Sequence, residues 1–229
     1  MWNGKNKAVT FSYDDGIEQD IRLVDIFNTY GMKCTFNLNS GLMTPESCWE
    51  NKGVHIKRMT PDKLPELYKG HEIAVHCRTH PALTGLDDDA VRREIADDRS
   101  ALEKLFGTEI RGMAYPYGAY DERVMRIAGE CGIRFARTCA DTYSFSLPGT
   151  PLAFGASCRH AYVGLKELLE RFLAYEGEEP AVFCLWGHSY EFDVDGNWDV
   201  IEALCKRLAG RSDIFFGTNS EVLLDVNLS

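Results

Sequence analysis

Hydrophobic residues in this chain follow two alternating rhythms. Short β-prone runs fall at 8–13, 32–38, 72–76, 111–114, 134–137, 181–186 and 214–217. Between most of them the apolar positions move to helical spacing. Ile21, Val24 and Phe27 share a face over 18–30, and Val91, Ile95, Leu102 and Leu105 share one over 87–106. Thr60-Pro61 opens and Gly70 closes a shorter helix over 61–69, and further helices fit 121–131, 162–175 and 197–209. Strands alternating with amphipathic helices are the signature of βα units around a parallel sheet.

Seven strands, nearly all followed by a helix, come one unit short of a closed barrel of the TIM type, with an open doubly wound sheet as the alternative. A length of 229 residues without linker, repeat or low-complexity stretch predicts a single domain over 1–229 with one sizeable core. Two long loops, 39–59 and 138–160, carry Trp49, Tyr143 and Phe145 among Gly and Pro, and a substrate groove is expected there.

A net charge of −10 argues against nucleic acid or an anionic membrane as the main partner, since both demand a basic footprint. The N-terminal MWNGKNKAVT lacks the apolar core of a signal peptide, and the longest apolar run is only 181–186. The expected location is therefore the cytoplasm, with no membrane contact. Cysteines at 34, 48, 77, 131, 139, 158, 184 and 205 form no CxxC or framework spacing and are read as reduced. Cys77 is set apart by its neighbours.

The first strand runs into FSYDDG, so a buried strand ends on Asp14 and Asp15. An Asp-Gly turn explains this without chemistry. A second stretch, EIAVHCRTH, places His76 and His80 four residues apart, a spacing that on a helical turn brings two imidazoles to one side for a divalent metal. It is not HExxH, because His71-Glu72 lies five residues before His76. Position connects the two stretches. Asp14-Asp15, His76, Pro116-Tyr117-Gly118, Arg137 and His188 all fall at carboxyl ends of expected parallel strands, the rim where α/β enzymes assemble their sites. A carboxylate beside two histidines completes a three-ligand set with a position left open, and the other carboxylate can take a proton from water there.

These stretches together resemble the motifs of the polysaccharide deacetylase family, also called the NodB-homology domain or carbohydrate esterase family 4. FSYDDG is similar to its first motif, TFDDG; HCRTHP to its second, H-[ST]-x-x-H, with Cys77 at the Ser/Thr position; AYPYG to its third, R-x-P-Y-G; and LWGH at 185–188 to its fifth, L-x-x-H. The resemblance implies a deformed (β/α)7 barrel and metal-dependent hydrolysis of an acetyl group from a sugar nitrogen or oxygen. By position it implies Asp15, His76 and His80 as metal ligands, Asp14 as general base, His188 as general acid, and the Tyr117 backbone N–H as donor to the oxyanion.

One motif departs from the family. The arginine that opens the third motif and pairs with the base falls at Ala114, and Arg137, in FARTC, is the expected replacement, with Arg159 as a second option. The fourth motif, which supplies a partner for the acid histidine, is not legible, leaving Asp141, Glu191 and Asp193 open. Trp49, Tyr115, Pro116, Trp186 and Tyr190 are candidates for contact with a sugar. His55, His71 and His160 receive no role. The expected function is a metal-dependent deacetylase of an acetylated sugar or oligosaccharide. The alternatives are an O-acetyl esterase, a C–N hydrolase on a non-sugar amide, or a catalytically silent carbohydrate-binding domain. His₂Asp favours zinc among cobalt, nickel and manganese.

Overall fold

In the computed structural model, which describes residues 1–224, the chain alternates strand and helix from β1 (Lys7–Asp14) through α1 (Asp20–Tyr30) to β2 (Cys34–Leu38). A hairpin follows, β3 (Cys48–Asn51) and β4 (Val54–Lys57), then the short α2 (Leu64–Leu67) and β5 (Glu72–Val75). The pattern resumes with α3 (Asp88–Phe106), β6 (Gly112–Ala114), α4 (Glu122–Glu130) and β7 (Phe135–Asp141). Two short strands, β8 (Phe154–Ala156) and β9 (Cys158–Arg159), precede α5 (Leu165–Leu173) and β10 (Ala181–Gly187). The described chain ends with α6 (Tyr190–Asp195), α7 (Trp198–Leu208), β11 (Ile214–Phe216) and α8 (Asn219–Leu223).

The helix boundaries have local causes. Asp87 accepts the Ala90 amide at 2.8 Å and Asp121 accepts the Val124 amide at 2.7 Å, capping α3 and α4. Gly31 stops α1 in the left-handed conformation while the Met32 amide returns to the Phe27 carbonyl.

The main sheet is parallel and runs β8-β7-β6-β5-β2-β1-β10-β9, which makes a nearly closed, deformed (β/α)7-type barrel. Its deformation is visible at β1. Along one edge β10 pairs from Lys7 to Tyr13, whereas the other edge is divided between β11 at residues 7–9 and β2 at residues 11–14. The ends meet at Ser157, between β8 and β9: its amide donates to the Cys184 carbonyl at 2.9 Å, and its hydroxyl accepts the Cys184 amide at 3.1 Å.

Alternation along β1 divides the interior. Val9, Phe11 and Tyr13 enter the large apolar core with Leu23, Phe27, Phe172 and Phe183 from the surrounding elements. The opposite face carries Ala8, Thr10, Ser12 and Asp14, small or polar residues that turn into the barrel. The barrel interior is thus part apolar and part hydrogen-bonded, and its polar end leads to the site.

Three sequence expectations are corrected. The segment 39–59, expected as a loop, holds the β3–β4 hairpin, and 138–160 holds the rest of β7 together with β8 and β9. The main sheet therefore has nine described strands rather than seven. Over 61–69 a 3₁₀ turn at Pro61–Lys63 leads into only four α-helical residues.

Gly112 begins β6 beneath the Phe135 ring, and a Cβ there would come within 2.0 Å of Phe135 Cζ. Gly112→Ala must displace a fully buried aromatic ring, so we expect a loss of about 2 kcal/mol of unfolding free energy, read from the shift in urea midpoint.

Candidate functional site

The last residue of β1, Asp14, is 2% exposed and lies in the barrel mouth. Arg137, from β7, is buried beside it and forms an ion pair through Nη2 to Asp14 Oδ2. Arg137 Nε donates to Ser12 Oγ at 3.0 Å, and Asn37 Nδ2 donates to Asp14 Oδ1 at 2.8 Å, so both oxygens of the carboxylate are fixed. Burial pushes the Asp14 pKa up, but Arg137, His76 and His188 outweigh it and take the group down to about 2. This arginine comes from the strand adjacent to Ala114, whose own side chain is too short to reach the carboxylate.

Asp15 begins the turn and has left-handed backbone, φ 84°, which separates its side chain from that of Asp14. The liganding atoms of Asp15, His76 and His80 all lie within 4.8 Å of one another. His76 Nδ1 is 2.8 Å from the Ala114 carbonyl, an acceptor, so Nδ1 carries the proton and Nε2 presents a lone pair to the cluster. The two Nε2 atoms are 3.1 Å apart, close to the roughly 3.4 Å between two nitrogens on one tetrahedral zinc. A bare imidazole nitrogen this close to a second one, with a carboxylate on the third side, is a donor set that fits a divalent cation.

The residues between the histidines are not helical, in contrast to the expected helical turn. Cys77 and His80 both have positive φ, 62° and 58°, and the Asn39 amide group holds the loop by donating to the His76 and Cys77 carbonyls at 2.5 and 2.8 Å. Asp98 accepts the Ser40 and His76 amides at 2.7 and 3.2 Å from behind. Cys77 is buried in the core and does not line the cavity. Asp15, Cys77, His80 and Tyr117 are four of the eight non-glycine residues with positive φ among the described residues, so backbone strain concentrates here.

His188, just after β10, has Nε2 at 3.9 Å from Asp14 Oδ2 and also 3.9 Å from Asp15 Oδ2. Of the three carboxylates left open by the sequence, Glu191 faces it, with Oε1 at 3.3 Å from Nδ1. Asp141 instead accepts Trp186 Nε1 at 2.8 Å, and Asp193 accepts Trp198 Nε1 at 2.7 Å. Glu191 also pairs with Arg159 and lies 3.1 Å from His160 Nε2. Arg159 therefore serves Glu191 and not Asp14. His160, given no role from the sequence, is buried against Tyr13 and Phe192 and forms part of the support behind His188. Ser189 Oγ donates to Asp20 at 2.5 Å and ties this segment to α1.

These groups open onto a cavity of about 520 Å³ lined by Asp14, Asp15, Trp49, Arg58, His80 and Tyr117 among others. Tyr117, 71% exposed, sets its ring edge against His80 with centroids 4.6 Å apart. Trp186 also lines the cavity but is packed between Arg137 and Arg159, at 4.4 and 5.4 Å from the ring centroid. Tyr115 is buried with its hydroxyl bonded to the Leu152 carbonyl at 2.9 Å, and Pro116 is buried next to it. Trp49 and Tyr190 meet edge to face on the other wall, 5.8 Å apart. Arg58 Nη2 donates to Asp15 Oδ1 at 2.6 Å, a contact the sequence reading missed.

The sequence profile described as polysaccharide deacetylase matches residues 3–136, more than half of the chain, and the chain belongs to that family. It is 26% identical over 136 residues to chitin deacetylase 2 of Cryptococcus neoformans, covering 56% of this chain and 30% of that protein. It is 27% identical over 139 residues to the peptidoglycan-N-acetylglucosamine deacetylase PgdA of Listeria monocytogenes, covering 60% and 26%. The matches thus span less than a third of either relative's length. Among solved structures, the fold is similar to that of a candidate polysaccharide deacetylase from Mycobacterium smegmatis, with TM-score 0.71, 18% identity and coverage of 98% and 91%. The family 4 carbohydrate esterase of Streptomyces lividans, solved with acetate, gives TM-score 0.59, 14% identity and 93% coverage of each chain. A CE4 family pseudoenzyme from Bacillus anthracis gives TM-score 0.56, 16% identity and coverage of 96% and 66%.

Removing Arg137 leaves Asp14 as a buried, unpaired carboxylate. Arg137→Met should lower the unfolding free energy by about 3–5 kcal/mol at pH 7. Without its cation the Asp14 pKa rises above the unfolded value, so the variant's penalty disappears as Asp14 is protonated on acidification. The wild type loses its own Asp14 contribution as pH falls from about 4 toward about 2. The gap between the two proteins therefore narrows from pH 7 to pH 4, and urea unfolding at both pH values measures it.

Proposed function

We propose that this protein is a metal-dependent deacetylase acting on an N- or O-acetylated sugar or oligosaccharide. One observation carries the reading: Asp14, held ionised by Arg137, shares the barrel mouth with the Asp15–His76–His80 cluster and with His188. A divalent cation in that cluster, zinc by ligand type, would supply Lewis acidity toward the acyl carbonyl and a water of lowered pKa.

The chain's own residues then divide the remaining work. Asp14 accepts the proton that water loses as it attacks, and its two fixed oxygens keep it aimed at the cavity. The Tyr117 backbone N–H donates to the oxygen on which charge develops. His188 passes a proton to the leaving nitrogen or oxygen, with Glu191 stabilising the protonated ring through Nδ1. Trp49, Tyr190 and Tyr117 offer apolar faces to the sugar around the acetyl group. Acetate and the free amine or hydroxyl are the products. The supporting relatives bear names that specify deacetylation of chitin and of peptidoglycan N-acetylglucosamine.

The test is acetate release from a panel of N-acetylated and O-acetylated sugars and short oligosaccharides by zinc-loaded protein. We expect turnover on at least one, a fall of about 10²–10⁴-fold in kcat for Asp14→Asn with zinc retained, and loss of zinc for Asp15→Ala. Zinc bound at full occupancy with no acetate released from any substrate would favour the catalytically silent binding domain instead. Ammonia or amine release from simple amides without sugar turnover would favour the C–N hydrolase.

A further inference from the structure

Arg58 stands where a bound cation and a substrate would both meet it. Its backbone is fastened to the turn that carries Asp15: the Met59 amide donates to the Gly16 carbonyl, the Glu18 amide donates to the Lys57 carbonyl, each at 2.9 Å, and Ile17 and Arg58 form a β-bridge. The side chain is almost enclosed, 11% exposed, and its Nη2 donates to Asp15 Oδ1 at 2.6 Å. That oxygen is the one turned toward His80, whose Nε2 lies 4.0 Å from it. The guanidinium thus holds one carboxylate oxygen of a residue assigned to metal ligation under the reading above, on which this inference rests.

Charge explains why some cation must be present. Asp15 is 7% exposed and lies next to Asp14, whose own cation, Arg137, is fully engaged. His188, Arg58, His76 and His80 stand around Asp15. Among these only Arg58 carries a permanent charge and touches the carboxylate directly. A dication bound to the same oxygen would stand within a few ångströms of the guanidinium, and the two would repel across a site with little water to screen them. While bonded to Asp15, the guanidinium also lies 4.9 Å from the centroid of Trp49 on the cavity wall, a contact that does not depend on the carboxylate. Its Nε is buried without a hydrogen bond to any described residue, so Asp15 and Trp49 supply most of its hold.

We propose that Arg58 is the resident counter-cation of Asp15 in the metal-free protein, exchanged for the metal when the site loads. It holds the ligand aimed before loading, and opposes metal binding as it does so. On exchange the guanidinium gives up Asp15 Oδ1 and keeps its place over Trp49 on the cavity wall. Exchange makes Arg58 a positioning residue for Asp15, and its effect is reciprocal: whatever Arg58 contributes to the metal-free state is subtracted from metal affinity.

The experiment is zinc titration of metal-free protein against a chromogenic chelator, comparing wild type, Arg58→Met and Arg58→Lys, with thermal melting of each protein with and without zinc. Arg58→Met should bind zinc about ten-fold or more tightly than wild type, and Arg58→Lys, which keeps the charge, should stay near wild type. Metal-free Arg58→Met should melt lower than metal-free wild type, and the upward shift on adding zinc should be larger in the variant. If Arg58→Met disturbs the hairpin, Arg58→Gln repeats the measurement with a polar head. Equal or weaker zinc binding in the uncharged variants overturns the exchange while leaving the metal site standing. Wild type that binds no zinc overturns both.

Discussion

Two carboxylates side by side at the end of a buried strand cannot both be ionised unless each is given a cation, and the architecture of the site follows from that constraint. A left-handed residue at Asp15 separates the two side chains, so that they face different partners. Asp14 points into the barrel and meets Arg137, fixed by Ser12 and by β7 itself. Asp15 points across the mouth toward His76, His80 and Arg58. Like charges that would otherwise raise one another's pKa are thereby assigned to separate positive fields.

The two pairings differ in permanence, and the proposed chemistry uses that difference. Arg137 is buried and bound on several sides, so Asp14 rests ionised and in one orientation. Of the partners of Asp15, His76 is buried and held by the Ala114 carbonyl, whereas Arg58 and His80 are partly open to the cavity. A base benefits from a fixed charge partner, because its proton affinity must be constant from one turnover to the next. Under the proposed exchange, Asp15 as a metal ligand has in Arg58 a partner that can leave. Behind His188 the same reasoning applies to Glu191, a carboxylate gathered by Arg159 and His160 so that it can steady the imidazole in front of it.

The sequence made much of this legible, for identifiable reasons. The strands that carry Asp14, His76, Arg137 and His188 are short β-prone runs followed in most cases by a helical period, and in a parallel barrel that rhythm fixes which end of each strand faces the rim. Arg137 was within reach of inference because β6 and β7 are neighbours, and a long side chain can replace one lost from the next strand. The β3–β4 hairpin was overlooked because Cys48–Asn51 and Val54–Lys57 alternate only weakly. Yet the register pairs Asn51 with Val54, leaving Lys52-Gly53 as a two-residue turn with φ of 48° and 82°, and Asn-Lys-Gly was a readable turn signal. Missing the hairpin meant missing Arg58, which reaches Asp15 across 43 residues with no local pattern to announce it. Glu191 had a signal that went unused: three residues beyond His188, it is the candidate carboxylate that helical geometry brings back onto the ring.

Asp15, His76 and His80 are proposed to converge on one cation at the barrel mouth. Anomalous diffraction at the zinc edge, from crystals grown with zinc, tests it most directly. The account predicts a single strong peak at bonding distance from the Asp15 carboxylate and from Nε2 of both histidines. A peak placed elsewhere, with those three side chains directed apart, would contradict it.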